Sequence, residues 1–187
     1  MIKEDPSTLV PCRAETLLPL NNWDLTWSNA RMKGLDSYQT SFMFKLLHNI
    51  LPTRSRLSRM RIIGHTTNWC RLCDVNEEED QIHAFFSCSN NRIAGLALLG
   101  YIQRIAADLS EADCLCLNLG ANLDEVQCLA AVSLIATGLR FIWERRIENK
   151  TVPLYLMRAE LEAKIELLRR TRYDRAGELM HLIVHSS

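Results

Sequence analysis

Apolar residues recur at intervals of three and four along most of the chain, which is the spacing of one face of an α-helix. The first strong example is a predicted helix that begins after the capping residue Asp36 and ends near Asn49. Lys45 and His48 fall on the side that should face solvent. The opposite side is predicted to be core and consists of Tyr38, Phe42, Met43, Leu46, Leu47 and Ile50.

The segment after this helix begins with a proline. Pro52 should end the first helix, because a residue that precedes proline disfavours the α conformation. Thr53 can then cap a short helix that runs to about Arg61 and buries Leu57 and Met60.

The chain before Asp36 divides into two parts. Residues 1–21 contain three prolines with little periodicity, and we expect an extended N-terminal arm. Trp23 and Trp27 lie four residues apart and can share one helical face. Packing on the protein body is favoured over stacking on nucleic-acid bases for such a pair.

The sequence next predicts a helix over about residues 90–109, which Ser89 can cap, and then a linker that ends at Gly120. The linker contains Cys114 and Cys116, which would need further ligands to form a metal site, and none lies nearby in sequence. The tight-packing side of the helix is expected to consist of Ile93, Leu96, Ala97, Gly100, Tyr101, Arg104 and Ile105.

Asn122 and Glu125 form a pair like a capping box, which predicts a long helix that ends near Glu148. Its first half, residues 126–139, is apolar nearly all round and should be the central buried helix. Its second half is expected to be a salt-bridged surface and carries Arg140, Glu144, Arg145, Arg146 and Glu148.

Pro153 predicts the start of a last helix, because proline is tolerated in the first helical turn. Its apolar seam should pack on the preceding helix rather than form a dimer contact, and a basic cluster at 169–172 ends it. The seam consists of Leu154, Met157, Leu161, Ile165 and Leu168. Together the patterns predict an all-α fold in which a helical zinc-binding region (22–110) and a C-terminal helical region (111–187) form one cooperative domain.

The zinc assignment rests on four residues with the spacing C-x2-C-x9-H-x4-C, namely Cys70, Cys73, His83 and Cys88. Two residues between cysteines allow a tight turn to aim both sulfurs at one ion, and three thiolates with one imidazole suit a closed tetrahedral site. We therefore predict one structural Zn²⁺ ion in an inserted CCHC zinc knuckle. The alternative is a set of buried cysteines beside a core histidine. His65 is a substitute ligand, but it would leave His83 unexplained.

Charge is segregated around this set, although the formal net charge of the chain is zero. Residues 31–71 hold eight Lys or Arg and one acidic residue, whereas residues 72–80 hold five acidic residues and no basic one. The four arginines at 54, 56, 59 and 61 have no acidic residue among them, which indicates phosphate contact more than a merely solvated face. Trp69 could stack on an unpaired base or shield the metal. The candidate nucleic-acid contacts are Arg54, Arg56, Arg59, Arg61, Trp69 and Arg71.

A family resemblance follows from these residues in combination. Residues 44–54 read FKLLHNILPTR, and after them come Leu57, the C-x2-C pair, an acidic stretch, His83, paired phenylalanines and Cys88. The combination resembles the zinc-binding domain that follows the reverse transcriptase of non-long-terminal-repeat retrotransposons. Residues 141–146, FIWERR, are similar to an Ile-Trp-x-x-Arg segment further downstream in such proteins.

The resemblance implies a mostly helical module that helps to hold RNA or target DNA during target-primed reverse transcription, with zinc-ligand roles for Cys70, Cys73, His83 and Cys88. The palm motif of the polymerase and the acidic pattern of the associated nuclease are both missing from the sequence. We therefore expect no catalysis by this chain. The alternative is a structural or protein-interaction module that docks on a reverse transcriptase core or another protein.

Composition adds three further expectations. No run of 18 or more apolar residues occurs, so no membrane partner is expected. The other cysteines, Cys12, Cys114, Cys116 and Cys128, show no disulfide framework, which favours a reducing compartment, nucleus or cytoplasm. The sequence does not determine RNA or DNA preference, sequence specificity or oligomeric state.

Overall fold

The structure, a computed structural model, describes residues 23–62, 67–73, 76–120 and 122–186. The predicted arm at 1–21 lies outside the described residues. The regular elements of the described part are helices and one isolated antiparallel bridge, which confirms the all-α class. The helices are α1 (Trp23–Ala30), α2 (Ser37–Leu47), α3 (Arg54–Arg59), a π-helix (His83–Ser87), α4 (Arg92–Gln103), α5 (Glu111–Cys116), α6 (Glu125–Ile147), α7 (Leu154–Arg169) and α8 (Asp174–His185).

Helix α2 begins as the sequence predicts. The carboxylate of Asp36 accepts a hydrogen bond from the backbone of Gln39, and the Gln39 side chain accepts one from the backbone of Asp36. The predicted core stripe is wrong at its two ends, where Tyr38 is 79% and Ile50 is 39% exposed. The middle of the stripe is buried: Phe42, Met43, Leu46 and Leu47.

Helix α3 is capped by Thr53 as predicted, but it ends at Arg59, so Arg61 lies beyond the helix at a positive φ of 53°. Met60 is 55% exposed and Leu57 is half-buried, so the predicted burial of these two side chains is wrong. A helix of six residues has too few turns to build an apolar face of its own.

The predicted face of α4 is right at Tyr101, Ala97 and Ile105, which pack in or against the core, and wrong at Ile93 and Leu96, which are exposed. Its buried side contains Ala94, Leu98, Tyr101 and Ile102, whereas Ile93 is 72% exposed. Gly95 explains which side of α4 is buried, because a Cβ atom at this position would lie 2.1 Å from a backbone oxygen of the π-helix. The absence of a side chain lets the two backbones touch. The predicted cap Ser89 is also wrong: Asn91 precedes the helix and makes no capping hydrogen bond with its side chain.

Helix α5 replaces part of the predicted linker. Ser110 and Asp113 form a capping box that starts it, and Leu117 in a left-handed conformation ends it. Cys114 and Cys116 are buried in this helix and belong to none of the metal-ligand clusters in the described part of the chain.

Helix α6 is the central helix, as predicted, and packs against α1, α2, α4, α7, α8 and the π-helix. Its cap is Asp124 with Gln127 rather than the predicted pair two residues earlier. It is long and apolar enough to cross a membrane, but 78% of its apolar window is buried in the protein. Core position accounts for this composition.

The seam of α7 packs within the molecule, as predicted. Met157, Leu161, Ile165 and Leu168 are buried against α6 and against α8, a helix that the sequence reading did not predict. One continuous hydrophobic core contains residues from both halves of the chain. The predicted boundary at 110/111 stays a prediction.

Candidate metal centre

The four predicted ligands lie together between the π-helix and the turn that contains the first two cysteines. The Sγ atoms of Cys70 and Cys88 are 3.8 Å apart, and Cys73 Sγ lies 3.4 Å from His83 Nε2. All four ligand atoms lie within 4.8 Å of one another. Sulfurs 2.3 Å from a tetrahedral zinc ion are about 3.8 Å apart, and a sulfur and a nitrogen about 3.6 Å. The donor set and its spacing therefore fit Zn²⁺.

The π-helix sets the distance between the last two ligands. Cys88 N–H donates to the carbonyl of His83 at 2.8 Å, which closes a turn one residue wider than that of an α-helix. The spacing of the ligands in the sequence did not predict this π turn. The wide turn brings the imidazole of His83 and the thiol of Cys88 to the same cluster.

The acidic segment folds back on the first cysteine. Glu78 forms the isolated bridge with Trp69, Cys70 N–H donates to the Glu77 carbonyl at 2.9 Å, and Glu79 N–H donates to the Asn68 carbonyl at 2.8 Å. Glu77 to Glu79 thus form one side of the metal centre.

Glu77 orients the imidazole ligand. Its Oε2 lies 2.9 Å from His83 Nδ1, so Nδ1 carries the proton and Nε2 faces the thiols. A carboxylate that holds the second nitrogen of a ligand histidine is the usual partner in zinc sites, because it fixes the tautomer and raises the basicity of the ligand. Asp80 adds a backbone contact, since its carboxylate accepts a hydrogen bond from His83 N–H.

Arg146 links α6 to the metal centre, and its predicted surface position is wrong. Its Nη2 lies 3.1 Å from Cys70 Sγ and 2.7 Å from Glu79 Oε2. The side chains of Arg146 and Glu79 are only 5% and 9% exposed. Burial lowers the pKa of Arg146, but the charge and hydrogen bond of Glu79 outweigh it, so the guanidinium stays charged.

The neighbouring groups shift the pKa values of Cys70 and Cys88 in opposite directions. The hydrogen bond from Cys88 and the positive charge of Arg146 lower the pKa of Cys70, against the effect of burial. The shared hydrogen bond and burial raise the pKa of Cys88. Zinc is coordinated by the thiolate form of cysteine, which the lowered pKa of Cys70 favours.

Aromatic side chains of α2 and α6 pack against the π-helix. Phe85 packs against Trp143 of α6, with ring centroids 6.0 Å apart, and edge-on against Phe42 of α2 at 6.4 Å. Trp143 and Arg146 belong to the downstream segment that resembles Ile-Trp-x-x-Arg. That segment therefore lies against the metal centre in this fold.

The predicted nucleic-acid contacts are divided between two places. Arg54 is buried, at 7% exposed, so its predicted display on the surface is wrong. Arg56 donates to the carbonyl of Asn49 at 2.8 Å, and Arg59 donates to that of Ser55 at 3.1 Å. These two guanidinium groups therefore already support α2 and α3.

Arg54 and Arg71 meet Arg146 in a cleft of about 290 Å³ beside the metal centre. Glu79 and Trp143 also line the cleft. Nε of Arg54 is buried without a hydrogen-bond partner, and so are Nε and Nη1 of Arg146. Three guanidinium groups face one carboxylate there, so the cleft is positively charged.

The remaining candidates do not line the cleft. Arg61 and Trp69 are exposed, the latter by 45%. The substitute ligand His65 and the cysteine Cys12 lie outside the described residues.

Residues 13–93 match the family model described as zinc-binding in reverse transcriptase. Over these residues the chain matches a zinc-binding domain associated with retrotransposon reverse transcriptase. The match confirms the family resemblance, and with the buried cluster it makes Zn²⁺ the cofactor of the chain. No curated protein and no solved structure matches the chain with significance.

Three residues of the metal centre were missed from sequence, namely Glu77, Glu79 and Arg146. Glu77 and Glu79 were seen only as part of an acidic run. The Ile-Trp-x-x-Arg resemblance was the signal that could have placed Arg146 near the zinc ligands.

Proposed function

We propose that the chain is a non-catalytic zinc knuckle module that binds RNA or DNA phosphates beside its metal. One structural Zn²⁺ ion would be held by Cys70, Cys73, His83 and Cys88 as a CCHC site. Four protein ligands leave no open position for a substrate. The ion would fix the turn at 68–73 against the π-helix and so couple metal binding to folding of this region.

The cleft formed by Arg54, Arg71 and Arg146 carries the nucleic-acid part of the proposal. A buried donor without a partner costs about 1–3 kcal/mol or more when charged, and a phosphate oxygen would satisfy it. The buried Nε of Arg54 is such a donor, and Arg71 stands exposed at the same cleft. Arginine is suited to this task because its planar fork matches phosphate oxygens.

The acidic run opposes phosphate less than its charge suggests. Glu79 is neutralised by the buried ion pair with Arg146, and Glu77 is engaged with the ligand imidazole. Arg61 and the exposed ring of Trp69 extend the proposed surface, with Trp69 available to stack on an unpaired base. We place the protein in the nucleus or the cytoplasm, because a set of cysteines without a disulfide framework favours a reducing compartment.

The test compares arginine variants of the zinc-loaded chain for binding to single-stranded RNA and duplex DNA. Arg71→Ala should weaken binding to all sequences and flatten the log-log salt dependence by about one phosphate contact. Arg54→Met, which keeps the shape of the side chain, should do the same. Arg175→Ala removes the same charge from an exposed position on α8 and should bind as wild type does. If Arg71→Ala and Arg54→Met keep their zinc and bind nucleic acid as tightly as Arg175→Ala does, the cleft is not the binding site.

A second candidate function is docking on a reverse transcriptase core. Large apolar side chains are exposed along α2 and just after α3, namely Tyr38, Phe44, Ile50 and Met60. Where exposed apolar side chains form a contiguous patch, they mark a protein-interaction site, and these four residues are the candidates for one. This function is favoured if the zinc-loaded chain binds no nucleic acid at low salt but forms a complex with a purified reverse transcriptase core. A Tyr38→Ser and Phe44→Ser double variant should then lose that complex.

A further inference from the structure

Three potential metal ligands meet between α7 and α8, on elements that take no part in the cysteine cluster. Glu162 lies on α7, and His181 and His185 lie on α8. One ligand atom from each lies within 4.8 Å of the other two. Residues four apart project from the same face of a helix, and the centroids of the two imidazole rings are 4.3 Å apart.

The side chains of this cluster are short of other partners. His185 Nε2 contacts Glu162 Oε1, whereas His181 Nδ1 is buried without any hydrogen-bond partner. The charged residues one turn away on α7 are occupied elsewhere: Arg158 donates to the hydroxyl of Tyr101, and Glu166 pairs with Arg170. In the part of the chain that the structure describes, the carboxylate of the cluster therefore faces two imidazoles and no lysine or arginine in an ion pair with it.

We propose that Glu162, His181 and His185 form a second metal site, which takes a divalent transition metal ion such as Zn²⁺. Two imidazole nitrogens and one carboxylate oxygen are a ligand set for Zn²⁺ and its neighbours, whereas Mg²⁺ and Ca²⁺ prefer oxygen alone. Three protein ligands leave a fourth position for water or an external ligand, and His185 is 52% exposed on that side. This proposal does not depend on nucleic-acid binding.

Metal at this site would join the C-terminal half of α8 to α7. That end of α8 is otherwise fixed by Arg104, whose guanidinium donates to the carbonyls of Ile183 and Ser186. A ligand that binds only the folded arrangement stabilises it by mass action. The expected consequence is slower amide exchange in α8 when the site is filled.

The experiment uses the full chain with one equivalent of tightly bound zinc, verified by elemental analysis, and titrates it with ZnCl2 by calorimetry. We expect one further saturable equivalent, with slower hydrogen exchange confined to α7 and α8. His181→Ala and Glu162→Gln should each weaken the second binding event by about tenfold or more while the first equivalent is kept. His48→Ala removes an exposed histidine at the C-terminal cap of α2 and serves as the matched control, with binding unchanged.

Two outcomes would overturn the site. One is a chain with one tightly bound zinc that takes up no second equivalent. The other is a second equivalent that His181→Ala and Glu162→Gln bind as tightly as wild type, which would place it elsewhere. Should His181→Ala lose its fold, as judged by circular dichroism, Glu162→Gln alone decides, because its altered group is partly exposed and nearly isosteric.

Discussion

Replacing Arg146 with methionine removes the guanidinium that joins α6 to the metal centre but keeps most of the side-chain volume. The buried partner Glu79, 9% exposed, would then hold an uncompensated charge. Breaking a buried ion pair from one side costs about 3–5 kcal/mol. Cys70 would also lose a donor at 3.1 Å, which weakens the stabilisation of its thiolate.

Two measurements check this prediction. Denaturant unfolding in the presence of zinc should show a loss of about 3–5 kcal/mol for Arg146→Met. Competition with a chelator should show zinc affinity lowered by about 10- to 100-fold, the usual effect of removing a group that supports a ligand. Arg145→Met is the matched control: this neighbour donates to the Thr151 carbonyl at an exposed position, and its loss should cost about 1 kcal/mol or less.

A double variant separates the ion pair from general damage to the core. Adding Glu79→Gln to Arg146→Met removes the stranded charge, so the double variant should be more stable than the single Arg146→Met variant. The reasoning is refuted if Arg146→Met unfolds within about 1 kcal/mol of wild type, or if the second substitution only adds to the loss.

Three further changes test other contacts. Gly95→Ala should destabilise the fold by about 1–3 kcal/mol in thermal unfolding, because the new methyl group would lie 2.1 Å from the Phe85 carbonyl oxygen. Gly100→Ala is the control: its position has open space around it, so the substitution should stabilise α4 by about 0.5–1 kcal/mol. Glu77→Gln should weaken zinc binding by about 10-fold or more in a chelator competition, because the ligand histidine loses its anionic partner. Burial raises the pKa of Cys114 to about 12 from an ordinary 9.0, so the unfolded state loses this proton first as pH rises. The free energy of unfolding should therefore fall above pH 9 by up to about 1.4 kcal/mol per pH unit, and this fall should be shallower in Cys114→Ala. Denaturant titrations that show the same dependence on pH in the wild type and in Cys114→Ala would contradict the prediction.

Local signals in the sequence predicted the elements whose causes are local. The cap at Asp36, the cap at Thr53 and the seam through Leu161 each depend on residues within a few positions, and the structure confirms them. The start of α6 shows the limit of such reasoning. Two overlapping capping boxes are written there, at 122/125 and 124/127, and local chemistry does not choose between them.

The rest of the fold and site depends on contacts between distant segments. The burial of Arg146 and Glu79 follows from α6 lying against the metal centre, which no local pattern records. Likewise, the face that α4 buries is fixed by the backbone contact at Gly95 rather than by its strongest apolar stripe. The ligand spacing was readable because all four residues lie within one short segment, while the groups that orient them come from elsewhere.

The most direct test of the central claim is binding of the zinc-loaded chain to single-stranded RNA and duplex DNA across a salt series. Arg146 is paired with Glu79, so the two other arginines of the cleft, Arg54 and Arg71, predict a log-log slope of about −1.4 on single strands or about −1.8 on duplex, at about −0.7 and −0.9 per phosphate. The preferred ligand would then identify the target. No binding at low salt by the folded, zinc-loaded chain would contradict the account and leave the module as a scaffold for a protein partner.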